Sequence, residues 1–417
     1  MEVFKPFCGY TYFNKFKKQN NFSRYVCPYD FEVYCKDEIK NLIKNEHNVF
    51  NFKEEEKRQD KIKNWVQNSI LVPFKTPCFY LYEMSYKIFD NVYTLTGIVG
   101  ELKLPEKEEN YLYSCEQTLK QEVEKNFNFV KDSNFLSSPV CVLCDGELET
   151  KNMNLIRKKM SCSYMFKAKQ NNVVHKLWKV EEKEIIDVLV DFFKDKDYYI
   201  ISGTEKYESA IKYRDFLKEN SKQKDLNFKN SIMALAFLKN DFSFATLPVH
   251  RLVSGINMFF GEEILNKASK YFDINFCKSL DSMRNMLFSF RRNEKHAFGI
   301  YADGSHNVLV LKDEKILNDF FKDDKEYEKF DTLMVDEFFL KEVLKLNSSN
   351  ISYCCVDKFA SDVVDSGDAC FAIYLSAVRS EDFFNILKSK GKFPEKSFYF
   401  FPKPVEGLLF YDFELEL

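Results

Sequence analysis

The sequence predicts an α+β (mixed α/β) protein in two parts, and three observations predict it. Short apolar runs and segments of helical spacing follow one another in both halves of the 417 residues. Tyr198 to Asp215, YYIISGTEKYESAIKYRD, passes from an apolar run through a glycine turn into an amphipathic segment. A polar stretch from Lys218 to Ser231, KENSKQKDLNFKNS, then interrupts the periodicity. The expected domains are therefore 1–222 and 223–417.

In the first domain, Val92–Leu104 (VYTLTGIVGELKL) and the SSPVCVLCD run near Val140 alternate as strands do. Between them CEQTLKQEVEKNFNFV has helical spacing. Lys179–Lys196 reads as an amphipathic helix leading into a strand at Tyr198. In the second domain, SIMALAFLKNDFSFATLPVHRLV reads as two strands around a turn at Lys239-Asn240-Asp241. HAFGIYADGSHNVLVLK reads as a hairpin turning at Asp303-Gly304. VDEFFLKEVLKL and SEDFFNILKSKG read as helices, and ACFAIYLSA and GLLFYDFELE as the last strands.

Composition narrows the classes of function. A net charge of -3 leaves no electrostatic footprint for nucleic acid. The 44 Phe and 23 Tyr occur with many Lys and Asn, a coding bias rather than a binding signature. Twelve cysteines at irregular spacing in so long a chain point to reduced thiols. The N-terminus does not read as a signal peptide, and no apolar run approaches a membrane span. A soluble, cytoplasmic protein is expected.

Strand, tight turn and helix is the arrangement that aims backbone N–H groups at a phosphate. Two readings of the turn stand side by side. Ser202-x-x-Glu205 fits a capping box, which satisfies the helix N-terminus from within. Alternatively, Gly203, Thr204 and Lys206 offer backbone, hydroxyl and ammonium to an anion.

Six blocks together resemble one family: FKPFCGY, CPYD (Cys27–Asp30), SGTEKYESAIKYRD, LPVHRLV (Leu247–Val253), VDSGDACFAIYL and FPEKSFYFFPKPVEGLL. In order and spacing they are similar to the uncharacterised prokaryotic family catalogued as domain of unknown function 1015. The resemblance spans nearly the whole chain. It implies a first half like the nucleotide-binding turn of the ParB, sulfiredoxin and free-serine-kinase group, followed by a second α+β domain.

The departures from that family are selective. Its Asp-Gly-His-His-Arg stands here as Ser202-Gly203-Thr204-Glu205-Lys206, while Tyr207, Glu208, Ala210, Tyr213 and Arg214 match. Its Lys-His-Glu-x-Thr stands as Ser114-Cys115-Glu116-Gln117-Thr118, and an arginine ten positions after that Glu as Asn126. Asn134 and Pro139 match, as do His250 and Arg251. Two further histidines appear as Lys341, after a retained Asp336, and Cys355.

The resemblance therefore implies a degenerate nucleotide or phosphate site in a ligand-binding or regulatory protein without catalysis. The implied ligand contacts are Gly203, Thr204, Lys206, Tyr207, Glu208, Thr118, Asn134, Tyr29, Asp30, His250 and Arg251. The alternative is a divergent phosphotransferase or phosphatase acting on a small metabolite such as serine or phosphoserine. There Glu116 would be the base, Lys206 and Arg251 the phosphate contacts, and Mg²⁺ and a nucleotide the cofactors. Each residue also has a plainer reading. Glu116 fits an exposed helical position, Tyr29 and Asp30 a turn after Pro28, and His250 and Arg251 a structural pair. No metal site is expected: Cys141 and Cys144 fall on opposite faces of a strand.

Overall fold

The computed structural model describes residues 2–13, 22–28, 36–52, 58–88, 90–162, 164–170, 172–220, 229–238, 244–256, 261–322 and 330–414. The architecture is α+β. The chain forms two compact units, Met1–Ala245 with Pro402–Leu417, and Thr246–Phe401.

The first unit is built on nine strands: β1 (Phe4–Lys5), β2 (Phe79–Ile88), β3 (Asn91–Lys103), β4 (Leu112–Ser114), β5 (Val140–Cys144), β6 (Phe166–Gln170), β7 (Val173–Val180), β8 (Tyr198–Ser202) and β9 (Ser231–Leu238). They run in the order β4-β8-β5-β9-β3-β2-β7-β6, with β1 on β3. The pairs β8–β4 and β9–β5 are parallel. All eight residues of β9 are buried, which is why it reads as one continuous apolar run rather than an alternation. Phe4, Phe79, Phe193 and Tyr198 form an aromatic core, with the Phe4 and Phe193 centroids 4.4 Å apart.

Three helices matter to the site: α1 (Lys120–Ser133), α2 (Lys183–Phe192) and α3 (Thr204–Asn220). The helix α2 is shorter than its periodicity suggested, since Lys179 and Val180 are spent on β7, and α1 starts at Lys120 rather than Cys115 but runs on to Ser133. Phe127 of α1 meets Phe216 of α3 edge-on at 5.8 Å, an aromatic contact of about 1 kcal/mol. These contacts pack α1 along α3.

Composition placed the domain boundary at 222/223, whereas the contacts divide the chain at 245/246. The reason is β9, which pairs with β3 and β5 and so belongs to the first sheet. The C-terminal segment also returns to the first unit, where Val405 N donates to Tyr82 OH and Phe410 N to Tyr10 O. The two strands expected to flank residues 239–241 accordingly lie in different sheets. The turn itself is outside the described residues.

The second unit holds a six-stranded antiparallel sheet: β10 (His250–Val253), β11 (Phe272–Cys277), β12 (Ala297–Ala302), β13 (Ser305–Leu311), β14 (Ile351–Cys354) and β15 (Phe371–Tyr374). Their order is β11-β13-β12-β15-β10-β14. Asp303 and Gly304, both at positive φ, turn the β12–β13 hairpin as the sequence predicts. Alternation along the strands splits the core in two. Leu252, Val308 and Tyr374 face Met283 and Leu287 of α4 (Leu280–Arg292). Val253, Phe298 and Phe371 face Phe338, Phe339 and Leu340. Those three belong to Met334–Val343, which the sequence reads as an α-helix but which winds as a wider π-helix; just beyond it, Leu344 N bonds Phe339 O. A further helix, α5 (Ser380–Ser389), follows β15. Among the described residues no helix is long and apolar enough to cross a membrane.

Candidate functional site

The site is assembled where β8 ends. A register shift between Ile200 and Ser202 loosens the pairing with β5, and Gly203 then adopts φ 90, a left-handed conformation that favours glycine. Lys206 N and Tyr207 N both bond to Gly203 O, so Gly203 is the N-cap and α3 begins at Thr204. This overturns the capping-box expectation. Ser202 sits one residue too early, and among the described residues its Oγ is buried with no hydrogen-bond partner. The 17-residue helix directs the N–H groups of its first turn and the positive end of its dipole toward this turn.

Three further segments converge on the turn. The first is 114–118: Cys115 N bonds Ile200 O, and Thr118 Oγ1 donates to Glu208 Oε2 at 2.5 Å. Glu116 therefore rides on a strip fastened on either side of it to the strand–turn–helix. It is partly exposed and does not lie in a helix, since α1 starts at Lys120. The second is 137–138, leading into β5. Lys206 Nζ donates to Ser138 Oγ at 2.5 Å. The third is the returning C-terminal segment, which contributes Glu406. Its Oε1 lies 3.4 Å from Lys206 Nζ, and its Oε2 accepts from Ser137 Oγ at 3.2 Å.

Lys206 and Glu406 are both more than nine-tenths buried, so the pair sits in a low-dielectric setting where neither charge survives well alone. The cation of the turn is thus neutralised from inside the protein by Glu406. Burial pushes the Tyr207 hydroxyl up to about 12, so it remains a protonated donor at neutral pH.

Other sequence-predicted residues lie apart from the turn or are committed elsewhere. Asn134 is the C-cap of α1 at φ 57; its amide donates to Glu414 and its carbonyl accepts from Tyr213. His250 and Arg251 belong to β10 in the second unit. His250 Nδ1 accepts from Leu375 N and its Nε2 donates to Asp357. Burial, with Arg251 and Arg284 nearby, pushes its pKa down to about 3, in keeping with the neutral ring that an accepting Nδ1 requires. Arg251 is fully buried: Nε and Nη2 clasp Asp336 at 2.8 and 2.7 Å, and Nη1 bonds the carbonyls of Val249 and Lys396. Tyr29 and Asp30 lie outside the described residues.

Cys141 and Cys144 are buried in β5, and burial pushes the Cys144 thiol up to about 12. Among the described residues no group of three or more His, Cys, Asp or Glu could hold a metal ion. Sequence reasoning missed Ser137, Ser138, Glu406 and the solitary Ser202 hydroxyl. A signal existed for Glu406, which stands in the specific FPKPVEGLL block, but nothing in its spacing reveals a partner 200 residues away.

The sequence pattern described as "protein of unknown function (DUF1015)" matches residues 4–335. The chain belongs to that family. No curated protein matches it. Among solved structures, a free serine kinase in complex with AMP is similar, at 11% identity and a TM-score of 0.34, covering 70% of this chain and 83% of that one. A conserved hypothetical protein from Pyrococcus furiosus gives 10% identity, a TM-score of 0.36, and coverage of 73% and 96%. SbnI from Staphylococcus aureus, truncated at its C-terminus, gives 8%, 0.34, and coverage of 74% and 85%.

Proposed function

We propose that this DUF1015 protein binds a nucleotide or phosphorylated small molecule at the Gly203 turn and acts as a ligand-binding or regulatory protein without phosphoryl transfer. One observation carries the reading: the only cation of the turn sequence, Lys206, is already paired with buried Glu406, while among the described residues Ser202 Oγ has no hydrogen-bond partner. What remains is a hydroxyl and helix-opening N–H groups, a donor set that holds an oxyanion. It does not cancel the charge that develops on a phosphoryl group in transfer, which takes arginine, lysine or metal in direct contact. In this reading Thr204, Tyr207, Glu208 and Thr118, the last two hydrogen-bonded to each other, supply the other polar groups of the site, with Glu116 on the adjacent strip. A ParB- or sulfiredoxin-type turn that has lost its imidazoles accords with this arrangement, and a cytoplasmic setting suits such a ligand.

The test is thermal denaturation of the full chain with AMP, ADP, phosphoserine and inorganic phosphate at millimolar concentration. At least one raises the melting temperature, because a ligand held by the folded state alone stabilises it, and Ser202→Ala diminishes the rise. No shift with any of the four overturns the binding claim. Turnover of ATP that Glu116→Ala abolishes overturns the claim of no catalysis and restores the phosphotransferase reading.

A further inference from the structure

The second unit contains a cavity of about 420 Å³, within the roughly 300–1,000 Å³ range of small-molecule sites. It is independent of the Gly203 turn, since every lining residue belongs to Thr246–Phe401. Arg291 of α4, the following Glu294, Lys295 and His296, Asp331, and Arg379 and Asp382 at the start of α5 supply its charged lining.

The wiring of these groups is specific. His296 Nδ1 hydrogen-bonds Asp331 Oδ1 at 2.8 Å. Asp331 is 8% exposed and also faces Arg291 Nη1 at 3.5 Å. Asp382 receives Arg291 at 3.1 Å and is clasped by Arg379 through Nε and Nη2 at 2.8 and 2.9 Å. As a carboxylate, Asp331 only accepts, so Nδ1 carries a proton and the second ring nitrogen is left to face a ligand. Among the described residues nothing hydrogen-bonds His296 Nε2, and this atom is not among the buried unpartnered ones, so solvent reaches it.

We infer that this cavity binds a small oxyanion, a carboxylate or a phosphate group, which His296 meets through Nε2 as an imidazolium held by Asp331, with the Arg291 and Arg379 guanidiniums flanking it. Arg291, Lys295 and Arg379 balance Glu294, Asp331 and Asp382, so the protonation of His296 is what makes the lining net positive. Burial disfavours the imidazolium, but the Asp331 hydrogen bond and charge outweigh it and leave the His296 pKa raised.

Imidazole ¹H–¹⁵N resonances of the full chain offer a readout confined to this site. The protein has five histidines, and His296→Asn identifies the signal of interest by its disappearance. Inorganic phosphate and acetate are the probes, and they distinguish the two oxyanion sources. At least one shifts the His296 resonances saturably, and Arg379→Ala, an exposed change that leaves the fold intact, weakens that probe about tenfold, the scale of a charge-assisted hydrogen bond. Resonances that neither probe moves overturn the inference, and so does an Arg379→Ala midpoint equal to wild type. Because the signal comes from His296 itself, ligand binding at the Gly203 turn neither mimics nor hides the result.

Discussion

Two cation–carboxylate pairs, each with a buried cation and one in each unit, differ in what they leave over. Arg251 in the second unit uses its guanidinium on both oxygens of Asp336 and two carbonyls. Lys206 in the first unit reaches Ser138 Oγ at 2.5 Å and Glu406 at 3.4 Å through a single nitrogen, and in the turn that carries it the Ser202 hydroxyl is buried with no hydrogen-bond partner among the described residues. A planar five-donor fork fills a polar pocket completely; a point charge does not. The Arg251 cluster reads as framework, whereas the proposed ligand site rests on the Ser202 hydroxyl of the Lys206 turn. Burial and charge alone would have ranked Arg251 the better functional candidate. Counting donors and acceptors reverses that order.

The strongest way to break the comparison is to cut the closed pair. Arg251→Ala leaves Asp336 without its partner and should cost about 4 kcal/mol, the range for breaking a buried ion pair. Urea unfolding of the full chain measures it. A loss below about 1 kcal/mol would show the cluster is not framework. Arg251→Lys should fail to restore it, because lysine cannot clasp both oxygens.

The open pair should yield less. Lys206→Met strands Glu406 and should cost about 3 kcal/mol, while adding Glu406→Gln should return much of it. A double mutant as unstable as the sum of the singles would mean the 3.4 Å approach carries no coupling.

How far the sequence foretold these two pairs differs for physical reasons. The strands that alternate or run apolar, and the Asp303-Gly304 hairpin, were legible because their periodicity is local. The helix at Tyr198–Asp215 was legible too, but its cap was not. Ser202 and Gly203 are both good N-caps, and only the Gly203 carbonyl bonds settle which one serves. The retained Asp336 was visible as a family residue, yet its role as the clasp for Arg251, 85 residues away, is a matter of tertiary placement. Glu406 was hidden for the same reason. The replaced position Lys341 proved local, pairing with Glu337 one turn earlier on the surface. The boundary at 222/223 differs from the division by contacts because composition cannot show that β9 joins the first sheet or that the C-terminal segment returns to the first unit.

Each unit also buries a neutral histidine, and pH sharpens the contrast. Burial pushes His175 in the first unit down to about 3, as it does His250 in the second. The unfolded chain therefore takes up a proton at each as pH falls below the ordinary value near 6.5, while the folded chain does not until about 3. Stability contributed by the neutral forms is lost as pH falls through that window, by up to about 1.4 kcal/mol per pH unit for each group. His175→Gln should reduce the stability difference between pH 7 and pH 5 by about 2 kcal/mol. Equal differences in mutant and wild type would mean that His175 titrates normally.

The smallest effect bears most directly on function. A buried hydroxyl without a partner costs about 1 kcal/mol or more of desolvation, so Ser202→Ala should stabilise the ligand-free protein by about 1 kcal/mol while weakening whatever the turn binds. A purely structural serine would behave oppositely, because alanine would forfeit a hydrogen bond and destabilise. Paired urea titrations with and without AMP or phosphate measure both quantities on the same sample. Gain of stability with loss of ligand response is the signature of a group kept at a cost to the fold for the sake of a ligand. Loss of stability would mean the Ser202 hydroxyl finds a partner within the protein, and the open pair would then be as closed as the one around Arg251.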